Sequence, residues 1–347
     1  MKTVAAVLVG LNRPLEITEI DIPALDYGQV LVRVLCTGIC GSQLGEIAGV
    51  KGPDRFLPHL LGHEACGEVQ ECGAGVKTVS PGQRVVLHWR PGAGVQSEPP
   101  VYNSSSLGKV NGGWLTTFNE LAVVSENRMT PVEPDFDPEI ASLMGCAVTT
   151  GLGVINRDAR VCIGESVVVW GAGGIGLSII QGAALASASP IIAIDLYEEK
   201  LALAKTLGAT HCINANNEDV SIAVRNIAGT EGADVVIDNT GDTNVIASAY
   251  QLTHSTGRTV LVGVPQQGNE ASFYTLPLHF GKQIVGSHGG QATPDRDIPR
   301  YVRLFQDGKL ALRPLLTHRF GLLEINDALD AMRSGAVTGR CIVNMSD

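Results

Sequence analysis

Short apolar runs separated by turn residues make up the first part of the chain, from Met1 to about Thr130. The runs are rich in β-branched residues, and segments such as Ser80-Pro81-Gly82-Gln83 between them are typical of turns. This pattern predicts an irregular all-β unit. The predicted strands are Val4–Val9, Leu15–Ile22, Gln29–Leu35, Ala65–Glu71, Arg84–His88 and Glu120–Val124.

The pattern changes at about Gly164, where strand-like apolar runs begin to alternate with helical stretches. Nearly continuous apolar strands that alternate with helices are typical of a parallel, doubly wound sheet, and six such strands match the dinucleotide-binding architecture. The predicted strands are Ser166–Trp170, Ile191–Leu196, His211–Asn214, Asp234–Asn239, Thr259–Val264 and Gln283–Gly286. The predicted helices are Gly176–Ser187, Glu198–Leu207, Asp219–Ala228 and Thr243–His254.

Two further segments have their own patterns. The last segment, Thr293–Asp347, predicts two helices (Ile298–Phe305 and Ile325–Met332) and a final strand, Arg340–Met345. Its pattern alone leaves open whether it extends the α/β domain or returns to the β unit. The segment Arg90–Gly113 is rich in Pro, Gly, Ser and Asn, which predicts a long surface excursion.

Composition excludes several classes of protein. The chain has 347 residues, with 25 Lys and Arg against 35 Asp and Glu, so the net charge of −10 argues against a nucleic-acid partner. A hydrophobic content of 44% argues against disorder, and the length is typical of two domains. No stretch approaches the ~20 apolar residues of a membrane span, and the apolar run Met1–Gly10 lacks a signal-peptide cleavage site. We therefore expect a cytoplasmic protein without a membrane partner, whose eight cysteines are thiols or metal ligands.

A glycine-rich motif follows the first strand of the α/β part. It has the form G-x-G-x-x-G, with glycines at 171, 173 and 176, and it precedes a predicted helix, as dinucleotide binding requires. We expect Gly171 to form the tight turn, Gly173 to admit the pyrophosphate and Gly176 to let helix and strand pack closely. The pyrophosphate would then lie at the helix N-terminus, beside Gly174 and Ile175. The alternative is a glycine turn that binds no ligand.

An acidic residue ends the next predicted strand. Asp195 stands nineteen positions after Gly176, where a carboxylate accepts hydrogen bonds from the adenosine ribose hydroxyls. The same carboxylate would repel the 2′-phosphate of NADP, and none of the next four residues is an arginine that would bind it. The motif therefore predicts NAD as the cofactor.

Two cysteines and a histidine form a candidate metal site. Cys40, His63 and Cys146 offer thiolate, imidazole and thiolate, a ligand set that suits zinc. Three ligands plus an open position would make a catalytic site, in which zinc acts as a Lewis acid on an alcohol. Spacing alone also fits two buried thiols and a structural histidine, since free cysteines are among the most buried residues.

Several stretches of the chain resemble the zinc-containing medium-chain dehydrogenase/reductase family, which includes zinc alcohol and polyol dehydrogenases. The resemblance covers nearly the whole chain, with the motifs in the family's order. The stretches are residues 37–42 (TGICGS), 61–64 (LGHE), 80–85 (SPGQRV) and 145–151 (GCAVTTG), together with the glycine motif, Gly286-Ser287 and Gly339-Arg340.

The resemblance implies the fold and the site residues. It implies a GroES-like β-barrel catalytic domain formed by residues 1–146 and 291–347, and a Rossmann NAD-binding domain formed by residues 147–290. It implies that Cys40, His63 and Cys146 bind the catalytic zinc. The other implied roles are a carboxylate beside the zinc that can ligate it (Glu64), acceptance of the alcohol proton (Ser42), and contacts to nicotinamide (Thr149), adenine ribose (Lys200) and pyrophosphate (Arg340).

Three positions depart from the family pattern. Many relatives carry four cysteines that bind a structural zinc, whereas residues 83–130 contain no cysteine, so we expect one zinc per subunit. Gln43 stands where relatives usually have Asp; we expect it to accept the ring N–H of His63 and to weaken zinc binding without abolishing it. Gly45 stands where some relatives have a histidine that ends a proton relay, and His288 is a candidate substitute.

The predicted reaction is hydride transfer between an alcohol and NAD. If His88, Trp89, Arg90 and Trp114 border the substrate cleft, the substrate would be a polyol or sugar derivative; both tryptophans fit a core or interface position equally well. The alternatives are a simple primary or secondary alcohol, a thiol adduct of the formaldehyde type, and, more remotely, a metal-free reductase or a catalytically silent protein. The resemblance also implies a homodimer or homotetramer.

Overall fold

The computed structural model describes residues 1–345 and divides into two compact units. Unit 1 comprises Met1–Cys146, Thr293–Asp307 and Leu316–Asp347, and unit 2 comprises Ala147–Ala292 and Gly308–Leu315. The last two residues of the predicted segment 291–347 lie outside the described part. The segment 308–315 is grouped with unit 2, although the sequence predicts that residues 291–347 return to the catalytic domain. Inside unit 2, the backbone N–H of Ala311 donates to Oε1 of Gln181 at 2.8 Å.

The helices and strands follow one another along the chain in this order: β1 (Lys2–Leu8), β2 (Glu16–Asp21), β3 (Gln29–Ile39), α1 (Gly41–Ile47), β4 (His59–Leu60), β5 (Glu64–Cys72), β6 (Arg84–His88), β7 (Val101–Ser104), β8 (Gly108–Asn111), β9 (Leu121–Ser125), β10 (Met129–Pro131), α2 (Pro138–Leu143), α3 (Ala147–Gly153), β11 (Val167–Trp170), α4 (Gly174–Leu185), β12 (Ile191–Asp195), α5 (Glu198–Thr206), β13 (His211–Asn214), α6 (Val220–Ala228), β14 (Ala233–Asp238), α7 (Thr243–Leu252), β15 (Thr253–Leu261), β16 (Gln283–Gly286), α8 (Pro294–Gln306), β17 (Leu316–Gly321), α9 (Ile325–Arg333) and β18 (Arg340–Asn344). A turn of π-helix, Val154–Ala159, follows α3. Short 3₁₀ turns lie at Glu126–Arg128, Leu276–Phe280, Gly289–Gln291, Arg313–Leu315 and Leu322–Glu324.

Unit 1 is built from a closed barrel and a seven-stranded sheet. The barrel has the strand order β1-β2-β7-β8-β4, and the sheet has the order β10-β6-β5-β3-β18-β17 with β9 paired to β3. Strand β3 belongs to two cores because its side chains alternate between faces. Val30, Val32 and Val34 pack in the core with Val85, whereas Leu31 packs with the core of Tyr102.

Unit 2 is a six-stranded sheet of order β13-β12-β11-β14-β15-β16, and all five strand pairs are parallel. This is the strand order typical of dinucleotide-binding domains, in which the order reverses beside the first strand. The central strands read as continuous apolar runs because helices cover both faces; Val167, Val168 and Val169 are fully buried. The predicted parallel, doubly wound sheet is therefore present.

The segment 90–113 differs from its prediction as a surface excursion. It contains the hairpin β7–β8, whose strands belong to the barrel. Tyr102 and Val110 are fully buried in the barrel core, and the Tyr102 hydroxyl accepts the N–H of Val123 at 2.8 Å. Two strands of only four residues carry too few apolar positions to stand out among turn residues. Among residues 1–345, no helix combines the length and apolarity needed to cross a bilayer.

Candidate metal centre and nucleotide-binding loop

The three predicted zinc ligands meet in unit 1. Cys40 follows β3 as the first residue before α1, His63 directly precedes β5, and Cys146 follows α2. Their ligand atoms all lie within 4.8 Å of one another. Residues more than a hundred positions apart in sequence therefore form one cluster, which a chance set of buried thiols would not require.

The chemistry of this cluster fits zinc. Two sulfur atoms and an imidazole are the donors that zinc prefers in three-ligand sites. Nε2 of His63 is buried and has no hydrogen-bond partner among residues 1–345, so a ligand there would satisfy it. The pKa of the Cys40 thiol lies well below its ordinary value because the Cys146 side chain hydrogen-bonds to it, and His63 and Arg340 act in the same direction. A thiolate is the form that binds a metal.

A buried ion pair lies beside the cluster. Glu64, the first residue of β5, forms an ion pair with the guanidinium of Arg340, the first residue of β18. Both side chains are buried, and a charge that is buried this deeply needs a partner of opposite sign. Glu64 directly follows His63, one of the three residues of the cluster. The role of Arg340 in pyrophosphate binding stays a prediction, as does ligation by Glu64.

Gln43 contacts His63, but not as expected. Its Oε1 accepts the backbone N–H of Cys40 at 2.7 Å, and its Nε2 contacts Nδ1 of His63. Because the Cys40 N–H can only donate, it fixes the orientation of the amide and leaves the NH₂ group facing the ring. Gln43 therefore does not accept the ring N–H, because its oxygen faces the backbone of Cys40 and its NH₂ group faces the ring.

Ser42 and Gly45 both lie on α1. Ser42 is exposed in the first turn of this helix, two residues from Cys40, and Gly45 packs near Val50. The predicted proton acceptor is thus accessible to solvent. His288 is also exposed, in unit 2, and its part in proton transfer stays a prediction.

The glycine motif of unit 2 forms a tight turn between β11 and α4. Gly171 has a φ of +94°, in the left-handed region that favours glycine. A Cβ on Gly176 would lie 1.9 Å from the carbonyl oxygen of Gly171, so only glycine fits. A Cβ on Gly173 would meet nothing within 4 Å, so the space in front of the helix N-terminus is open. Open space at a helix N-terminus suits a phosphate group.

Asp195 is anchored to this turn. One carboxylate oxygen accepts the N–H of Ala172 at 2.7 Å, and the other accepts the N–H groups of Leu196 and Tyr197 at 2.8 and 3.2 Å. These bonds hold the carboxylate at the carboxyl end of β12, where parallel sheets bind their ligands. Lys200 lies on α5 with its Nζ 4.7 Å from the ring centre of Tyr197, and Thr149 is buried in α3.

A cavity of about 770 Å³ in unit 1 is bordered by His63 and Gln43. Of the four predicted cleft residues, Trp114 lines this cavity. His88 does not line it: its side chain is fully buried in β6, where Nδ1 donates to the carbonyl of Arg90 and Nε2 accepts from Thr130. Neither Trp89 nor Arg90 borders the cavity.

Sequence reasoning missed the loop 48–58, which supplies Lys51 and Arg55 to the wall of this cavity. The sequence signal for this loop is the group of charged residues Lys51, Asp54 and Arg55 between Cys40 and His63.

Two family models match the chain. The model of the alcohol dehydrogenase GroES-like domain matches residues 26–134, and that of the zinc-binding dehydrogenases matches residues 174–307. The S-(hydroxymethyl)glutathione dehydrogenase of Photobacterium damsela subsp. piscicida is 36% identical over 361 aligned positions, covering 96% of this chain and 98% of that protein. The enzyme of the same name from Escherichia coli O1:K1 / APEC is 35% identical over 363 positions, with the same coverage.

Solved structures share the fold along the whole chain. An alcohol dehydrogenase zinc-binding domain protein from Burkholderia ambifaria superimposes with a TM-score of 0.91 at 28% identity. The benzyl alcohol dehydrogenase of Acinetobacter calcoaceticus superimposes with a TM-score of 0.89 at 30% identity. In both cases the match covers 100% of each chain. The predicted combination of a GroES-like barrel and a Rossmann sheet is confirmed.

Proposed function

The chain belongs to the zinc-containing medium-chain dehydrogenase family and is an alcohol dehydrogenase, and we propose that it holds one zinc ion per subunit and uses NAD as its hydride acceptor. The observation that carries the proposal is the cluster of Cys40, His63 and Cys146, with ligand atoms within 4.8 Å of one another. These three side chains would hold the metal and leave a position for substrate. When bound, zinc acts as a Lewis acid toward the alcohol oxygen.

The residues around the cluster would move the proton and fix the geometry. Ser42 would accept the proton of the alcohol at its Oγ. Gly45 offers no imidazole, so the onward path of the proton would use ribose hydroxyls and water in place of a histidine. Glu64 would provide a negative charge beside His63, and Arg340 pairs with that buried carboxylate. Glu64 would also be able to ligate the metal.

The preference for NAD rests on Asp195. Its carboxylate is held at the end of β12 by backbone N–H groups, so a ribose would find two acceptor oxygens there and a 2′-phosphate would be repelled. Gly171, Gly173, Gly174, Ile175 and Gly176 would hold the pyrophosphate. Arg340 would add a contact to the pyrophosphate, Lys200 one to the ribose, and Thr149 one to the nicotinamide.

The proposal of a single zinc rests on the segment 83–130. This part of the chain contains no cysteine, and we propose that the segment 90–113, which contains the hairpin β7–β8, replaces the cysteine-rich lobe. Within residues 1–345, the cluster around Cys40 is the one group of at least three cysteine, histidine or acidic side chains with metal-binding geometry.

The first candidate substrate is a polar alcohol such as a polyol or sugar derivative, the class proposed from the sequence; of the four residues that suggested it, only Trp114 is among those that line the cavity. A second candidate, the thiol adduct S-(hydroxymethyl)glutathione, is favoured by the named relatives at 35–36% identity over 96% of the chain. A simple primary or secondary alcohol is a further alternative within the same chemistry. All of these are small molecules, as expected for this family.

Unit 1 is proposed to be the catalytic domain and unit 2 the NAD-binding domain. A homodimer or homotetramer is proposed because unit 2 exposes Tyr274, Leu276 and Phe280 in the segment before its edge strand β16. A cytoplasmic location is supported by the cysteines, all of which are free thiols.

The proposal is tested with purified protein and three measurements. Metal analysis should give one zinc per chain. A panel of simple alcohols, polyols, sugar derivatives and S-(hydroxymethyl)glutathione should identify the substrate by NADH absorbance. Asp195→Ala should lower the ratio of kcat/KM for NAD to that for NADP by about tenfold, the worth of one or two hydrogen bonds to an ionised group. A zinc content well below one per chain, or an unchanged cofactor ratio, would contradict the proposal.

A further inference from the structure

The cavity of about 770 Å³ beside His63 carries a pair of positive charges on one short loop. We propose that Lys51 and Arg55 bind an anionic group, a carboxylate or a phosphate, at the end of the substrate remote from its hydroxyl. This inference rests on the proposed alcohol oxidation, since it names the class of alcohol that the same site takes. A volume of this size holds a ligand much larger than a short-chain alcohol.

Both cations are available to a ligand. Lys51 and Arg55 are exposed on the loop between α1 and β4, and neither has an ion-pair partner among residues 1–345. Arg55 lies over the ring of Phe56, with 4.9 Å from its Cζ to the ring centre, which leaves the N–H edge of the guanidinium free for a carboxylate or phosphate.

The nearest acidic side chain in the loop is not available to neutralise them. Asp54 lies 2.8 Å from Nε2 of His59, whose Nδ1 lies 2.9 Å from the carbonyl oxygen of Leu60. The other carboxylate oxygen of Asp54 accepts the backbone N–H of Phe56 at 2.8 Å. Both oxygens of Asp54 are therefore engaged by other groups, and within residues 1–345 Asp54 forms no ion pair with Lys51 or Arg55.

Two other carboxylates line the cavity, but they are separated. Glu46 lies on α1, and Glu98 lies in the segment that precedes β7. Single carboxylates on different elements offer one contact each to a cationic group, whereas Lys51 and Arg55 stand four residues apart on one loop and both line the cavity. The residues that line the cavity also include the apolar side chains of Leu61, Trp114 and Leu115. These features fit an alcohol with an apolar body and an anionic end.

The test uses three alcohols of one shape on the zinc-loaded protein: benzyl alcohol, 4-(hydroxymethyl)benzoate and 4-(aminomethyl)benzyl alcohol. We expect kcat/KM to be at least about tenfold higher for the anionic alcohol than for the neutral one, the worth of one charge-assisted hydrogen bond. The double variant Lys51→Met/Arg55→Met should reduce that ratio to about one. The matched control is Lys109→Met, an exposed lysine on β8 outside the cavity, which should leave the ratio unchanged.

A binding measurement separates this inference from the proposed function. Calorimetric titration of the zinc-loaded protein with 4-(hydroxymethyl)benzoate, without NAD, should show an affinity that the double variant lowers about tenfold. If no alcohol is oxidised, the proposed function fails while the titration still decides the anion site. A wild-type ratio of one or less, a ratio unaffected by the double variant, or a preference for the cationic alcohol that Glu98→Gln removes would each overturn the inference.

Discussion

The metal centre of unit 1 and the glycine turn of unit 2 differ in how the chain builds a binding site. The metal centre is made of side chains, Cys40, His63 and Cys146, that the fold gathers from distant parts of the chain. The turn at Gly171–Gly176 is made of backbone in one continuous segment. Its glycines are required because a side chain would either collide with the backbone or fill the open space. Replacing a ligand atom should therefore abolish metal binding at the metal centre, whereas adding a side-chain atom should disturb the glycine turn.

The largest expected effect is loss of the metal. Cys40→Ala removes a thiolate, so zinc content should fall to near zero and turnover should fall by at least about a thousandfold, because Lewis-acid stabilisation is worth several kcal/mol. Zinc analysis and NADH absorbance measure both quantities. Binding of NAD to unit 2, followed by fluorescence titration, should persist, since its turn is untouched.

Cys162→Ala is the matched control, because this thiol is exposed in unit 2 and belongs to no cluster of metal-binding side chains in the part of the chain described. It should keep full zinc and activity. Undiminished NAD reduction by Cys40→Ala would contradict the assignment of the metal centre.

A pair of glycine substitutions tests the other side of the comparison. In Gly176→Ala the new methyl group would lie 1.9 Å from the carbonyl oxygen of Gly171, so the turn must shift, and the free energy of unfolding should fall by about 3 kcal/mol. In Gly173→Ala the methyl group meets nothing within 4 Å, so stability should hold while NAD affinity falls. Urea unfolding and NAD titration distinguish the two. Equal losses of stability in the two variants would contradict the steric difference between the two positions.

The difference between the two regions also explains what could be predicted from sequence. A turn is local, so the glycines, the strand before them and Asp195 were all recognisable from short-range pattern. The metal ligands were not, since spacing alone fitted separate buried residues; the family resemblance was needed to unite Cys40 with Cys146.

Side-chain direction was the part that pattern could not supply. His88 was expected at the substrate cleft, but β6 lies between β5 and β10, and both faces of this strand are covered. Lys51 and Arg55 were overlooked because a charged loop has no periodicity that tells which cavity it borders. The hairpin β7–β8 was missed for a related reason, since its core residues Tyr102 and Val110 stand among turn formers.

The two units should also differ in their response to acid. Burial lowers the pKa of His88 to about 4 from its ordinary 6.5, so the unfolded chain takes up this proton first as the pH falls. The contribution of His88 to the free energy of unfolding is therefore fully present above about pH 6.5. It is lost progressively toward pH 4, by about 2 kcal/mol between pH 7.5 and 5. His88→Gln should flatten this dependence in urea unfolding. His279→Gln, an exposed histidine of unit 2, should not, and equal slopes for both variants would contradict the argument.

The smallest expected effect lies at Gln43, where the metal centre depends on a side chain that does not bind the metal. Oε1 of Gln43 accepts the N–H of Cys40, and the NH₂ group faces Nδ1 of His63. A histidine that binds zinc through Nε2 must carry its proton on Nδ1, which then faces another donor. Gln43→Glu keeps the size of the side chain and replaces that donor with an acceptor.

Zinc affinity of Gln43→Glu, measured by competition with a chelator, should therefore rise about tenfold, the lower end of the effect of such partners on metal sites. Gln70→Glu makes the same chemical change at an exposed position and should leave the affinity unchanged. Equal affinities in the wild type and in Gln43→Glu would show that the ring of His63 is held without help from residue 43. A rise in zinc affinity in Gln43→Glu alone would show that the amide of Gln43 lowers the zinc affinity of the wild type. The backbone N–H of Cys40 would be the cause, because it fixes the orientation of that amide.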